Sequence, residues 1–191
     1  GSVFFDFNRD GMVDVFLANV GVYTSDELRP MRADDDSAQT DAMYYRGLPD
    51  AFFGHLVPER SEASLLFENQ GSMRFVDVSV QRRLVDTGWA GDACPLDVNE
   101  DGWPDLYVLN MQGDDGFYEN VQGRHFVRRD THFPVTPWGS MGIEVFDYDN
   151  DGHQDLFITD MHSDMSHDIG PGLEKSKSRL LHAENFRSRS E

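Results

Sequence analysis

A nine-residue acidic pattern, D-x-[DN]-x-D-G-x-x-D, occurs three times in this chain, at residues 6–14, 97–105 and 147–155. Oxygen-bearing side chains stand at positions 1, 3, 5 and 9 of each copy, and the glycine at position 6 permits a sharp turn. With a backbone carbonyl at position 7, these oxygens can surround a hard cation of the size of calcium. The pattern therefore constrains both the fold and the chemistry of the chain.

The three copies predict three structural Ca²⁺ ions, each held by four side chains and one backbone carbonyl. An acidic hairpin turn without an ion is the alternative, but the three or four carboxylates of each copy would then repel one another. The third copy carries a carboxylate at all four side-chain positions and is predicted to bind calcium most tightly. The predicted side-chain ligands are Asp6, Asn8, Asp10, Asp14, Asp97, Asn99, Asp101, Asp105, Asp147, Asp149, Asp151 and Asp155. The predicted carbonyl ligands are Met12, Trp103 and His153.

The residues around each copy predict a strand on either side of it. An EF-hand loop places a bidentate glutamate at position 12, but this position is Leu17, Val108 or Ile158 here. The EF-hand and the related dockerin loop are therefore disfavoured. The runs that follow, 15–18, 106–109 and 156–159, contain the aromatic and β-branched residues that favour buried strands. Each copy is predicted to be the turn of a β-hairpin.

A second element, which ends in Glu-Asn, recurs at residues 65–69, 116–120 and 180–185. The distance from its asparagine to the next acidic copy is 28 residues and then 27, whereas the remainder of the unit varies in length. The repeat cores are predicted near 1–20, 65–120 and 121–160, with insertions at about 21–64 and 161–179. A unit of about 50 residues with about four short strands is typical of a β-propeller blade.

Three segments resemble the FG-GAP/VCBS repeats of integrin-α-type propellers, and more closely the secreted cartilage-acidic-protein-like bacterial proteins. These segments are Asp97 to Asn110, Asp147 to Asp160 and Phe117 to Phe126. The Phe-Gly and Gly-Ala-Pro signatures of the integrin repeats are replaced here by tryptophan-containing stretches, which puts integrin-like ligand binding in doubt. The resemblance implies a calcium-bound, extracytoplasmic propeller that serves adhesion or protein–protein contact.

The predicted fold is a single all-β propeller region over residues 1–191, with about three four-stranded blades and calcium-binding β-hairpin loops. A closed propeller needs at least four blades. We therefore expect the chain to be a fragment of a larger propeller, which can belong to a longer chain or an assembly.

The charge of the chain limits its partners. It has 35 acidic and 16 basic residues, a formal net charge of −19, and no basic patch that could neutralise phosphates, so a nucleic-acid partner is disfavoured. A protein or carbohydrate partner is expected instead. No apolar stretch reaches membrane-spanning length. Because loops of this kind suit millimolar calcium, an extracellular or periplasmic location is expected.

The sequence favours a binding module over an enzyme. It has no Gly-x-Ser-x-Gly elbow, no phosphate-binding glycine loop and no His-Glu-x-x-His motif. A calcium-dependent carbohydrate-active enzyme, a polysaccharide lyase or hydrolase, stays open as the alternative, with His162 and His167 as candidate bases. Trp89, Trp138 and the aromatic cluster at residues 44–53 could form a binding surface, but packing within the blades is favoured for them.

Overall fold

A computed structural model describes residues 1–30, 43–49, 60–111, 114–137 and 139–160. The regular structure in these ranges is β-strand except for a 3₁₀ residue at Arg60, which confirms the all-β prediction. The described part of the chain contains no helix long and apolar enough to cross a bilayer. The strands are β1 (Ser2–Phe5), β2 (Asp14–Leu17), β3 (Thr24–Pro30), β4 (Met43–Gly47), β5 (Leu65–Asn69), β6 (Phe75–Asp77), β7 (Ala90–Leu96), β8 (Asp105–Asn110), β9 (Gly116–Val121), β10 (His125–Arg128), β11 (Ser140–Phe146) and β12 (Asp155–Asp160).

The first sheet has four antiparallel strands in the order β1-β2-β5-β6. The hairpin β3-β4 forms a separate two-stranded sheet and is inserted in the chain between β2 and β5. This hairpin lies within the insertion predicted at residues 21–64. The insertion therefore leaves the pairing of β2 with β5 intact, because the chain returns to the same sheet after it.

The second sheet has the strands β7, β8, β9 and β10 in sequence order, all antiparallel. The third sheet pairs β11 with β12. In all three sheets the first two strands flank one acidic copy of the pattern, so the predicted strand–loop–strand hairpins are confirmed. The segments predicted to continue the third repeat, 161–179 and 180–185, lie outside the described residues.

Two apolar layers join the three sheets. Alternation of side chains along each strand sends one set of apolar residues to each face of the second sheet. The layer between the first and second sheets contains Phe5, Phe16, Leu66, Ala93, Leu106 and Val108. The layer between the second and third sheets contains Leu96, Tyr107, Phe117, Ile143, Val145 and Leu156. The first strands of the three sheets lie side by side, β1 against β7 and β7 against β11.

The described sheets are stacked and are not arranged as a closed propeller. Two of the three predicted blades are present as four-stranded sheets. The propeller ring itself, and the division into repeat cores at 1–20, 65–120 and 121–160, stay predictions.

The packing predicted for the aromatic residues is confirmed in one place and wrong in another. Trp89 is buried, and its ring makes an edge-type contact with the ring of Tyr23, with 5.9 Å between centroids. Tyr44 and Tyr45 are exposed on β4, because the β3-β4 hairpin pairs as a sheet of its own. Trp138 and residues 50–59 lie outside the described residues.

We expect Leu66→Ala to lower the free energy of unfolding by about 3 kcal/mol, since Leu66 is fully buried between the first and second sheets. Val80→Ala is the matched control, because Val80 is exposed and its truncation should change stability by less than about 0.5 kcal/mol. Urea denaturation measures both. Equal losses in the two variants would contradict the apolar layer.

Candidate metal centre

The three acidic loops share one backbone conformation. Position 6 is glycine with φ of 84° at Gly11, 83° at Gly102 and 92° at Gly152. Position 4 is also left-handed in every copy, although it is never glycine: φ is 54° at Arg9, 56° at Glu100 and 61° at Asn150. The glycines were evident in the sequence. The left-handed position 4 was not, because the side chains there have nothing in common.

The aspartate at position 1 closes each loop by accepting backbone hydrogen bonds. Asp6 Oδ1 accepts from the N–H of Asp10 at 3.1 Å, and Asp6 Oδ2 accepts from the N–H of Gly11 at 2.9 Å. Asp97 and Asp147 make the same pair of bonds in the second and third loops. These bonds orient the position 1 carboxylate toward the interior of the loop.

The residues predicted as carbonyl ligands lie at the expected point of the turn. The N–H groups of Met12, Trp103 and His153 donate to the position 5 carboxylate of their own loops at 2.8, 2.9 and 2.9 Å. These bonds place position 7 beside position 5 in each copy. Calcium ligation by the three carbonyl groups stays a prediction.

Positions 1, 3 and 5 come together at the mouth of the loop. In the third copy, one carboxylate oxygen from each of Asp147, Asp149 and Asp151 lies within 4.8 Å of the others. All three side chains are exposed to solvent. Because Ca²⁺ binds oxygens at about 2.3–2.6 Å, oxygens spaced in this way fit around one such ion.

The first two copies differ at position 3, where asparagine replaces aspartate. Asn8 Oδ1 accepts from the N–H of Asp10 at 3.1 Å, and its Nδ2 donates to Asp10 Oδ2 at 3.0 Å. Asn99 and Asp101 repeat this arrangement, with 3.2 Å for the side-chain bond. The asparagine amide donates a hydrogen bond to the position 5 carboxylate. The aspartate at position 3 of the third copy has no N–H with which to do so.

Position 9 has a different environment from positions 1, 3 and 5. Asp14 and Asp105 are buried, and Asp155 is half-buried. Asp105 Oδ2 accepts from the N–H of Val98 at 3.1 Å, and Asp105 Oδ1 accepts from the N–H of Asn120 at 2.7 Å. The carboxylate thus ties the loop to the third strand of the sheet. Asp14 makes equivalent bonds, and the role of all three aspartates as ligands stays a prediction.

Burial raises the pKa of Asp14 and of Asp105 from 3.8 to about 6. Backbone N–H donors oppose this shift, and the other two aspartates of each loop increase it. The negative charge at position 9 is therefore costly in the protein alone. A divalent cation in the loop would favour the ionised form, so the donor set suits a hard cation electrostatically.

The asparagines of the second recurring element support the loops, a role that the sequence did not reveal. Asn120 is buried, and its Nδ2 donates to the carbonyls of Phe7 at 2.8 Å and Pro104 at 2.9 Å, while its Oδ1 accepts from Gly123 N–H at 2.9 Å. Asn69 similarly donates to the Val13 carbonyl at 3.0 Å. The signal was present as the recurring Glu-Asn, but the register that places it beside position 9 required the sheet.

The three loops form a row along one edge of the stack. The Arg9 guanidinium lies over the Trp103 ring, 5.4 Å from its centroid, and Glu100 pairs with the His153 ring. Both contacts join position 4 of one loop to position 7 of the next. The second and third loops are also joined by a hydrogen bond, in which Gln154 Oε1 accepts from the N–H of Asp97 at 2.9 Å.

A buried carboxylate outside the loops joins the second sheet to the third. Asp115 Oδ1 accepts from the N–H of Asn110 at 2.8 Å, and Asp115 Oδ2 accepts from the hydroxyls of Ser140 at 2.8 Å and Tyr107 at 3.1 Å. Burial nevertheless raises the pKa of Asp115 from 3.8 to about 6. The junction therefore contains a titratable group separate from the predicted metal ligands.

Comparison with known proteins places one segment in a repeat family. Residues 97–158, which include the second and third acidic loops, match the model of the FG-GAP-like repeat. No curated protein and no solved structure gives a match. The match supports the FG-GAP-like repeat for this segment, in agreement with the resemblance seen in the motifs.

We expect Asn120→Ala to destabilise the protein by about 3 kcal/mol, because it leaves the buried backbone groups of Phe7 and Gly123 and the part-buried carbonyl of Pro104 without this partner. Asn69→Ala removes the corresponding side chain where it is only partly buried and should cost about 1 kcal/mol. Chemical denaturation distinguishes these values. Equal losses would show that the contact with Phe7 contributes little.

The stability of the protein should depend on pH through Asp115. Because its folded pKa of about 6 lies above 3.8, its stabilising contribution is complete below pH 3.8 and is lost as the pH rises through 6. Asp115→Asn should reduce the fall in unfolding free energy between pH 4 and pH 7 by up to about 3 kcal/mol. Asp26→Asn, which removes an exposed acid on β3 that does not act on Asp115, should keep the slope of the parent protein. Identical slopes for the parent and Asp115→Asn would refute this assignment.

Proposed function

We propose that the chain is a calcium-stabilised β-propeller module that works outside the cytoplasm in protein–protein binding or adhesion. The observation that carries the proposal is the row of three loops with one backbone conformation and one hydrogen-bond pattern. The third loop brings three carboxylate oxygens together, and each loop joins the first two strands of a sheet. Within this proposal the module is of the cartilage-acidic-protein-like kind.

Calcium is the ion that the donor set suits best. The predicted ligands are carboxylate, amide and carbonyl oxygens, which favour hard cations over zinc or copper. Mg²⁺ demands near-ideal octahedral geometry and keeps several of its waters, whereas calcium accepts the irregular oxygen set of a loop. Three bound ions would change the formal net charge from −19 to −13.

A structural role for calcium follows from the position 9 aspartates. Asp14 and Asp105 are buried, and each bonds to both the loop and the third strand of its sheet. An ion that favours their ionised form would therefore stabilise the whole sheet and not the loop alone. Loops of this class in extracellular modules bind calcium at about 10⁻⁴–10⁻³ M, which supports a location outside the cytoplasm.

A partner-binding role is supported by the match of residues 97–158 to the FG-GAP-like repeat and by the shape of the row of loops. The loops lie together on one edge, and contacts between neighbouring loops hold them in register. Such an edge presents a continuous surface in which bound calcium would offset the acidic charge. A protein partner is proposed, and carbohydrate is the other class of ligand that the surface can accept.

Calcium should raise the thermal stability of the protein substantially. If each site has a dissociation constant near 10⁻⁴ M, 1 mM calcium contributes about 1.4 kcal/mol per site. Asp147→Ala should remove more calcium affinity than Asp97→Ala, because the third loop has four carboxylates and the second has three. Thermal unfolding in calcium against EGTA, together with calorimetric titration, measures both effects.

The control for this experiment is Asp26→Ala, which removes an exposed acid on β3 and should leave calcium binding unchanged. An unchanged melting temperature between calcium and EGTA would overturn the proposal. Equal affinity losses in Asp147→Ala and Asp97→Ala would overturn the ranking of the sites while leaving calcium binding in place.

A further inference from the structure

The second and third acidic loops are joined by a side chain that is not one of the predicted ligands. Gln154 stands at position 8 of the third loop, between the predicted ligands His153 and Asp155. Its Oε1 accepts a hydrogen bond of 2.9 Å from the N–H of Asp97, the first residue of the second loop. The two partners are 57 residues apart in the chain, so the bond depends on the packing of the second sheet beside the third.

Asp97 is the residue that closes the second loop. Its carboxylate accepts from the N–H groups of Asp101 at 3.1 Å and Gly102 at 2.8 Å, and it is the first predicted ligand of that loop. The position of its backbone therefore influences where both of its carboxylate oxygens lie. By binding the N–H of Asp97, Gln154 fixes one end of the second loop from the third loop.

A second contact joins the same two loops. Glu100, at position 4 of the second loop, pairs with the ring of His153, at position 7 of the third. The N–H of His153 in turn donates to Asp151 Oδ1 at 2.9 Å within the third loop. Positions 1 and 4 of the second loop are thus held by positions 8 and 7 of the third, so a change in the shape of one loop acts on the other.

The bases of the two loops share one apolar layer. Leu96, directly before the second loop, and Leu156, directly after the third, pack in the same cluster. The strands that begin the two sheets, β7 and β11, also lie side by side. The layer restricts movement at the base of both loops. Rearrangement on cation binding is therefore expected in the loops themselves and in the contacts between them.

We propose that Gln154 couples the second and third loops, so that a calcium ion bound in either loop raises the affinity of the other. The coupling rests on the proposed function, because it presupposes calcium in both loops. An ion that orders the third loop fixes the backbone of Gln154, and with it the acceptor that positions Asp97. Because coupling free energies are reciprocal, an ion in the second loop favours binding in the third by the same factor.

The charge of the two loops opposes this coupling without reversing it. Residues 97–105 and 147–155 contain eight acidic residues and no lysine or arginine. With His153 neutral, their formal charge of −8 becomes −6 with one calcium ion and −4 with two, so the second ion still enters acidic surroundings. Salt at physiological strength also screens exposed charges over about 8 Å. A direct hydrogen bond between the loops is much less affected, and we expect it to decide the sign of the coupling.

Gln154 can be substituted without disturbing the core. The corresponding residue of the second loop is Pro104, which has no side-chain acceptor, and there Asn120 bridges the carbonyls of Phe7 and Pro104 instead. Asn120 is buried, so its removal affects the sheet itself. Gln154 is exposed, and Gln154→Ala should therefore keep the fold.

The experiment measures occupancy of the second loop with terbium(III), a hard cation whose luminescence is sensitised by a nearby tryptophan. Trp103 lies at position 7 of the second loop, and the other two loops contain no tryptophan. Trp103→Phe keeps the backbone carbonyl and should abolish the sensitised signal, which assigns the signal to this loop. Titration of calcium against the terbium-loaded protein then gives the calcium affinity of the second loop.

The third loop is disabled by Asp149→Asn and Asp151→Asn together. The disabled loop has a formal charge of −2, the same as the intact loop with calcium bound, so the charge beside the second loop is matched. In the parent protein this change should weaken calcium binding in the second loop about fivefold, the scale of one net hydrogen bond.

Two substitutions of Gln154 test whether its side chain carries the coupling. In a Gln154→Ala background, disabling the third loop should change the affinity of the second by less than about twofold. Gln154→Glu keeps an oxygen acceptor of the same reach and should retain the coupling of the parent. Circular dichroism and the melting temperature of the cation-free variants should match the parent, because the side chain is exposed.

The reciprocal measurement uses no change at Gln154. Asp101→Asn weakens the second loop, and calorimetry then gives the calcium affinity of the third, which should fall by a comparable factor. Four results would contradict the coupling. They are an unchanged or tighter second loop when the third is disabled, equal losses in the parent and Gln154→Ala, lost coupling in Gln154→Glu, and a third loop that is insensitive to Asp101→Asn.

Failure of the coupling and failure of the proposed function are distinguishable. If neither loop binds calcium, the proposed function is overturned together with the coupling. If both loops bind calcium with independent affinities, the coupling alone is overturned and the calcium-stabilised module is retained.

Discussion

The aspartate at position 9 of the acidic loops, which is buried in the first two sheets and half-buried in the third, makes the hydrogen bonds on which the rest of the structure depends. Asp105 accepts one hydrogen bond from the loop at Val98 and one from the third strand at Asn120. Asp14 does the same in the first sheet. A single side chain thus fixes the loop conformation, the hairpin and the register of the next strand. Because it is buried, its charge must be balanced, and burial raises its pKa.

This requirement links the fold to the proposed chemistry. In the third copy the carboxylates at positions 1, 3 and 5 are exposed to solvent, where a cation can enter, while the aspartate at position 9 is less exposed and lies behind them in the sheet. A cation that stabilises a loop would therefore also stabilise the second and third strands, because the position 9 aspartate bonds to the backbone of Asn69 or Asn120 on the third strand. Contacts such as that of Arg9 with Trp103 then fix the position of one loop relative to the next. The row of loops is consequently a single structural unit.

The apolar layers follow the same repeat but end differently. In the second sheet both faces are covered, so its strand β8 is buried along its whole length. Among the described residues, the first and third sheets each pack one face on the second sheet and have exposed apolar side chains such as Phe4 and Phe157 on the other. The hairpin β3-β4 is inserted where it does not interrupt the pairing of β2 with β5. Variation in length is tolerated there, because the sheet order on either side of the insertion is unchanged.

The sequence by itself determined the three loops, the strands that flank them and the all-β class, because glycine, carboxylate spacing and β-branched runs act over short distances. It also placed Trp89 in the interior. Only the tertiary structure decided the role of Asn120 and the burial of Asp105, since these depend on partners elsewhere in the chain. The left-handed conformation at Arg9 is local, but the dissimilar side chains at position 4 did not indicate it. The exposure of Phe157 beside the burial of its equivalent Phe16 was decided by the tertiary structure. The same local sequence pattern occurs in a buried and in an exposed strand, so the pattern alone does not predict which strand another sheet will cover.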